Sequence, residues 1–247
     1  MTIIAHSSFS QSADSIESLR HFSGTVSVTN NGISLVPNFS LGKPAALALL
    51  SLGGKRFSFD PDIRFSLKGK PWTFLFWARY KLFTEGRFKM NTGVHLGMNF
   101  RTSTLPVNNV PTETIVLRRY LASELAPNYW LAKNISIGAY YLYSRGIDDG
   151  TVKNTHFITL NSNFTRIPLI KKIYLRAAPQ VYFLNQDGKK GYYFNSTFAL
   201  AKEDFPLAVT STLNRELHSN IIGSKKFIWN LSLVYSFSKN LILKPAH

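Results

Sequence analysis

Apolar and polar residues alternate one by one along most of this chain. The clearest case is FIWNLSLVYSF, from Phe227 to Phe237. Phe227, Trp229, Leu231, Leu233, Tyr235 and Phe237 share one parity, and Asn230, Ser232 and Ser236 lie on the other. A period of two is the signature of a β-strand with two unlike faces. RFSFDPDIRFSL sets Phe57, Phe59, Ile63, Phe65 and Leu67 against Ser58, Asp60, Asp62, Arg64 and Ser66. WTFLFWARYKL sets Trp72, Phe74, Phe76, Ala78, Tyr80 and Leu82 against Thr73, Leu75, Trp77, Arg79 and Lys81. The pattern continues through ISIGAYYLY, THFITLNSNF, IYLRAAPQVYFL, GYYFNSTFAL and PLAVTSTLN. No segment longer than about 12 residues carries a helical period.

The connectors alternate too. Short ones (TEG at 84–86, AKN at 132–134, PLIKK at 168–172, KEDFP at 202–206) exchange with longer, polar ones (101–112, 145–154, 185–191, 218–226). Tight turns at one rim and loops at the other are what an up-and-down barrel requires. A Greek-key sandwich would scatter its loop lengths. Counting back from the last strand places twelve strands, at 32–41, 45–52, 55–67, 71–83, 87–100, 113–130, 134–145, 153–165, 172–185, 190–201, 205–216 and 226–238. The expected class is all-β, an antiparallel transmembrane β-barrel. FSGTVSVTN at 22–30 is read as an extension, and PAALALLSL as the weakest strand, since Ala and Leu favour helix. Residues 1–11 read as the remnant of a signal peptide, 12–31 as an N-terminal extension, 32–238 as the barrel and 239–247 as a tail.

In this geometry the aromatic parity faces lipid and the small polar parity faces a watery lumen. Trp72, Phe74, Phe76, Tyr80, Trp229, Tyr235 and Phe237 are the expected lipid-facing and girdle aromatics, with Tyr129, Trp130 and Tyr143 at strand ends. The longest apolar run, Pro44 to Leu52, is far shorter than the roughly 20 residues of a membrane helix. Strands of about 10 residues suffice for a membrane barrel.

The aromatic C-terminal strand, SFSQ at Ser8 to Gln11 and the stretches Asn30–Ala46 and Phe57–Leu82 resemble outer-membrane β-barrel proteins of the Bacteroidota. The resemblance runs along nearly the whole chain. It implies an outer-membrane location and no particular mechanism. Many such barrels end on the terminal aromatic, whereas here Ser238 to His247 follow Phe237.

Charge adds one further point. Lys and Arg number 29 against 13 Asp and Glu, a net charge of +16. The cations are scattered over turns and loops, with no zinc spacing, helix-turn-helix or RNA-binding signature, so nucleic acid is not the expected partner. The expected partners are outer-membrane lipid and lipopolysaccharide, with other outer-membrane or periplasmic proteins as further candidates. With Cys at 0, thiolate metal sites are excluded. No cofactor, metal or catalytic group is expected from the spacing of His, Asp and Glu.

The charged lumenal candidates are Asp60, Asp62 and Arg64 opposite Arg79 and Lys81, with Arg118, Glu124 and Arg176. In a narrow barrel such groups pair across the lumen, and a cationic excess biases any conductance toward anions. A barrel with a narrow, charged, mostly closed lumen, acting as a channel or as a subunit of an envelope complex, is the leading functional expectation. The alternatives are an outer-membrane enzyme acting on lipid or lipopolysaccharide, and a soluble β-sandwich binding module. An enzyme of this kind needs a Ser and a His on neighbouring strands, and the sequence singles out no such pair.

Overall fold

The computed structural model describes residues 18–107 and 110–243. The signal-peptide segment 1–11 lies outside the described residues. Twelve antiparallel strands close into one barrel. They are β1 (Ser18–Thr29), β2 (Ala45–Gly53), β3 (Phe57–Ser66), β4 (Pro71–Phe83), β5 (Phe88–Val107) and β6 (Val110–Ala132). They continue with β7 (Ile135–Gly146), β8 (Asn154–Ile170), β9 (Ile173–Gln186), β10 (Lys189–Lys202), β11 (Leu207–Ser219) and β12 (Phe227–Leu243). Each strand pairs with its neighbour in sequence, and β1 closes on β12 from Ser18↔Leu243 to Thr29↔Ser232. Closure leaves no sheet edge, the condition for placing strands in hydrocarbon.

The two faces follow the alternation. On β12, Phe227, Trp229, Leu231, Leu233 and Tyr235 are each close to half exposed, while Asn230 and Ser232 turn inward. Leu160 at 64% and Val94 at 54% continue the apolar belt on other strands. Soluble monomers rarely expose contiguous apolar patches beyond about a few hundred Å². A belt that circles the whole barrel matches a lipid solvent. Aromatic pairs stiffen it: Phe74 lies 5.2 Å from Phe65 and 4.9 Å from Phe100, and Phe22 lies 5.3 Å from Phe237.

Several sequence expectations are corrected. The first strand is Ser18–Thr29, inside the supposed extension, and 32–41 is not a strand. Residues 30–44 instead form a long connection containing one 3-10 turn, Pro37–Phe39. Its period of two arises because Ile33, Leu35 and Phe39 meet protein within the barrel, not lipid. The barrel thus spans 18–243, and the supposed tail begins as strand through Leu243.

Of the loop expected at 101–112, the described residues 101–107 and 110–112 are also strand. β5 meets β4 only as far as Asn99, and β6 meets β7 only from Tyr120. Residues 100–107 and 110–119 therefore run on as a two-stranded ribbon beyond the wall. The loop expected at 185–191 is a two-residue hairpin. Asp187 and Gly188 both take positive φ, 48° and 87°, the primed turn that matches strand twist.

One rim carries both described chain ends and the turns at 54–56, 84–87, 133–134, 171–172 and 203–206. It is called the terminal rim below. The opposite, loop rim carries the 30–44 connection, the ribbon and the loops at 147–153 and 220–226.

Candidate functional site

The connection 30–44 folds into the barrel rather than away from it. Leu35 and Val36 pack on the inward cluster of Phe157, Tyr182, Leu184, Tyr193 and Ile221. Tyr182 Oη donates to the Leu35 carbonyl at 3.1 Å. On the opposite wall Trp72 Nε1 donates to the Phe39 carbonyl at 2.7 Å, and the Phe39 ring meets Tyr120 edge-on at 5.0 Å. Trp72 belongs to β4, Tyr120 to β6 and Tyr182 to β9, so the connection bridges the lumen. It also bonds to itself, through Gly32 N–H to Lys43 O at 2.8 Å and Ser34 N–H to Ser40 Oγ at 3.0 Å. Those bonds satisfy backbone groups that enclosure would otherwise leave unpaired.

Trp72 corrects a further expectation. Parity puts it on the lipid face, yet it is 2% exposed. Arg64 pairs with Thr73 and Phe65 with Pro71, so Trp72 is the extra residue of a bulge. A bulge re-aims a side chain. Here it places the indole beside Gly32, where an added Cβ would come within 3.0 Å of the ring. Phe74 and Phe76 stay on the outer wall with Tyr80, Trp229 and Tyr235, and Phe237 pairs with Phe22.

Nearer the terminal rim, charged side chains form a belt. Arg79 bonds Asp60 at 3.0 Å and Glu124 at 2.7 Å, linking β3, β4 and β6. Its guanidinium also lies over the Trp77 ring at 4.2 Å. Glu124 accepts a further bond from Tyr140 Oη at 2.7 Å. Asp60 accepts from Ser51 Oγ at 2.6 Å and Ser58 Oγ at 3.1 Å. Enclosed charges are tolerable only when partners satisfy their lone pairs, and these have them. Gly93 makes the arrangement possible, since a Cβ there would lie 3.0 Å from Arg79 Cγ and 3.1 Å from Glu124 Oε1.

The other candidate charges separate. Arg64 pairs with Asp62, two residues away on its own strand, at 2.5 Å. Lys81, Arg118 and Arg176 make no salt bridge among the described residues, and Arg176 instead donates to Tyr174 Oη at 2.8 Å. Arg101, which the sequence placed in a loop, lies on the inner parity of β5 near Arg118. It lines a small recess at the loop rim with Asn38, Ser40 and Lys225.

The structure also joins a Ser and a His on neighbouring strands. His21 Nε2 lies 2.9 Å from Ser51 Oγ. Ser51 gives its own proton to Asp60, so the histidine has no free hydroxyl to deprotonate, and the trio anchors the belt. The pair joins β1 to β2, and its half in β1 falls in the stretch that parity read as an extension.

Between the inturned connection and the belt lies a cavity of about 670 Å³. Its lining includes Leu35 and Phe39 from the connection, Trp77 and His95 on β4 and β5, and Tyr140, Asn161, Gln180 and Asn195 on β7 to β10. Arg64 is its one charged side chain among the described residues, histidine aside.

No protein-family model matches the chain, and no curated protein matches it either. Solved structures do. A KdgM porin in complex with disordered oligogalacturonate superposes with a TM-score of 0.56 at 10% identity, covering 88% of this chain and 99% of that one. An outer-membrane channel from Pseudomonas putida F1 gives 0.50 at 11% identity, covering 90% and 95%. At such identities the likeness is one of fold: this chain has the fold of outer-membrane β-barrels.

Proposed function

We propose that the protein is an outer-membrane channel whose extracellular mouth is closed by its own connection 30–44. Bacterial barrels keep short turns on the periplasmic side, which makes the terminal rim periplasmic. The observation that carries the reading is the tethering of one segment to opposite walls, at Trp72 and at Tyr182. The folds of a porin and a channel among the structural neighbours support it, as does the cavity beneath the connection. The Arg79 belt narrows the periplasmic half. Its acids are matched, while Lys81, Arg101, Arg118 and Arg176 leave a cationic excess along the path, which favours small anions. Lys68, Lys189 and Lys190, at the turns of the loop rim, suit the phosphates of lipopolysaccharide.

The test is the reversal potential across a KCl gradient in a planar bilayer. The protein used carries a Gly-Ser linker in place of residues 33–40. Anion-preferring conductance is expected. Cation preference would reject the electrostatic account, and a folded variant without conductance would reject the channel.

A further inference from the structure

The strand register places five side-chain amides in one continuous row. Asn128 on β6 pairs with Gly138 on β7, and Gly138 with Asn161 on β8. Asn161 pairs with Gln180 on β9, Gln180 with Asn195 on β10, and Asn195 with Asn214 on β11. Every member lies on the inner parity of its strand. Gly138 fills the one gap, where a Cβ would lie 2.8 Å from Asn128 Oδ1 and 3.1 Å from Asn161 Oδ1. The missing side chain leaves both amides room.

Because barrel strands tilt, a row perpendicular to them climbs the wall. Asn128 stands four residues from the terminal end of β6, and Asn214 five from the loop end of β11. The row therefore rises from the periplasmic mouth to the inturned connection. It ends at Tyr182, whose hydroxyl oxygen lies 2.9 Å from the Asn214 side-chain amide and 3.1 Å from the Leu35 carbonyl.

Resting on the channel reading, we infer that this amide row is a binding track for a neutral, polyhydroxylated solute of the short-oligosaccharide kind. Three observations select that chemistry. First, amides offer a donor and an acceptor on one rigid plane, matching hydroxyls that both give and take a proton. Gln180 donates to Asn195 at 3.1 Å and Asn163 to Asn161 at 3.1 Å, and the acceptor oxygens of Gln180 and Asn163 have no partner among the described residues.

Second, aromatic rings share the cavity lining with the amides, Tyr140 and Phe157 on β7 and β8 of the row itself and Trp77 on β4. Tyr140 and Phe157 meet edge-on at 6.0 Å, and Trp77 lies beside His95 at 4.0 Å. A sugar ring presents apolar C–H faces and polar edges, so it can rest on these rings while its hydroxyls meet the neighbouring amides. His95 Nδ1, on a side chain 7% exposed, has no partner in this lining.

Third, the cavity is close to neutral. Arg64 is already held by Asp62 through two bonds, at 2.8 and 2.5 Å. An acidic sugar brought here would be stripped of water without gaining a free cation.

The test is isothermal titration of the purified barrel, wild type and linker-replaced, in a detergent without a sugar headgroup. The probes are maltotriose, cellotriose, raffinose and acidic trigalacturonate. At least one neutral trisaccharide is expected to bind, more tightly than trigalacturonate. Gln180→Met and Asn161→Leu should each weaken it roughly tenfold or more, while keeping the heat-modifiable gel shift of a folded barrel. Binding of none of the neutral probes, tighter binding of trigalacturonate, or unchanged affinity in both folded variants would overturn the inference. The linker-replaced protein separates this from the channel reading. Conductance without block by a neutral sugar removes the track alone, and sugar binding without conductance removes the channel alone.

Discussion

Trp72 Nε1 donates to the carbonyl of Phe39 across 2.7 Å, so a side chain turned inward by a bulge in the wall holds the segment that fills the mouth. Replacing Trp72 with Phe keeps a ring and removes the donor. One buried hydrogen bond contributes about 1 kcal/mol. The expected outcome is a small loss of stability in denaturant titration and a clear rise in solute entry into proteoliposomes. Equal entry for the two proteins would show that this bond does not restrain the connection.

Arg79 serves two carboxylates, one of which, Glu124, has a side chain only 4% exposed. Arg79→Met strands both acids, and removing one partner of a buried pair costs about 3–5 kcal/mol. Glu124→Gln in the same chain should recover much of that loss, because the stranded charge goes with it. Chemical denaturation of the single and double variants gives the coupling directly. Additive losses would mean that the belt is solvated and unpaired.

Leu231 and Ser232 are adjacent in sequence and opposite in surroundings. Leu231→Arg should cost about 2–4 kcal/mol near the bilayer midplane, whereas Ser232→Arg faces the lumen and should assemble with a smaller penalty. Folding yield into vesicles distinguishes them. Equal yields would count against the assigned faces.

Asp148, in the loop after β7, accepts from the Arg119 guanidinium at 2.6 Å and from the Arg119 backbone N–H at 2.6 Å. The guanidinium bond, then the backbone bond, holds its carboxyl below the usual carboxylate range. A lowered acid pKa means that the contact is complete above about pH 4, the unperturbed value. It is lost only as pH falls through the depressed value. Amide exchange at Arg119 should stay protected at about pH 4. Loss of protection already near pH 5 would contradict the contact.

Most of the wall was legible because lipid and lumen impose opposite polarity on alternate residues, as at Phe227–Phe237 and Phe57–Ser66. Three features were not. β1 carries Gly24 on its outer parity and so shows a weak apolar stripe. Residues 32–41 alternate like a strand because their apolar side meets Tyr182 and Tyr120 inside the barrel. Trp72 breaks parity at a bulge that no local pattern announces. The amide row and the His21–Ser51 contact depend on register between strands, and sequence periodicity says nothing about which residues of two strands stand side by side.

The central claim is that residues 30–44 close the extracellular mouth above the cavity. The chain has no cysteine, so one introduced thiol reports alone. Thr197→Cys places it in the cavity wall and Asn220→Cys in the exposed loop before β12. On intact cells, a membrane-impermeant maleimide should label Asn220→Cys rapidly and leave Thr197→Cys unlabelled until residues 33–40 are replaced by the Gly-Ser linker. Labelling of Thr197→Cys at the rate of Asn220→Cys, with the connection intact, would contradict closure.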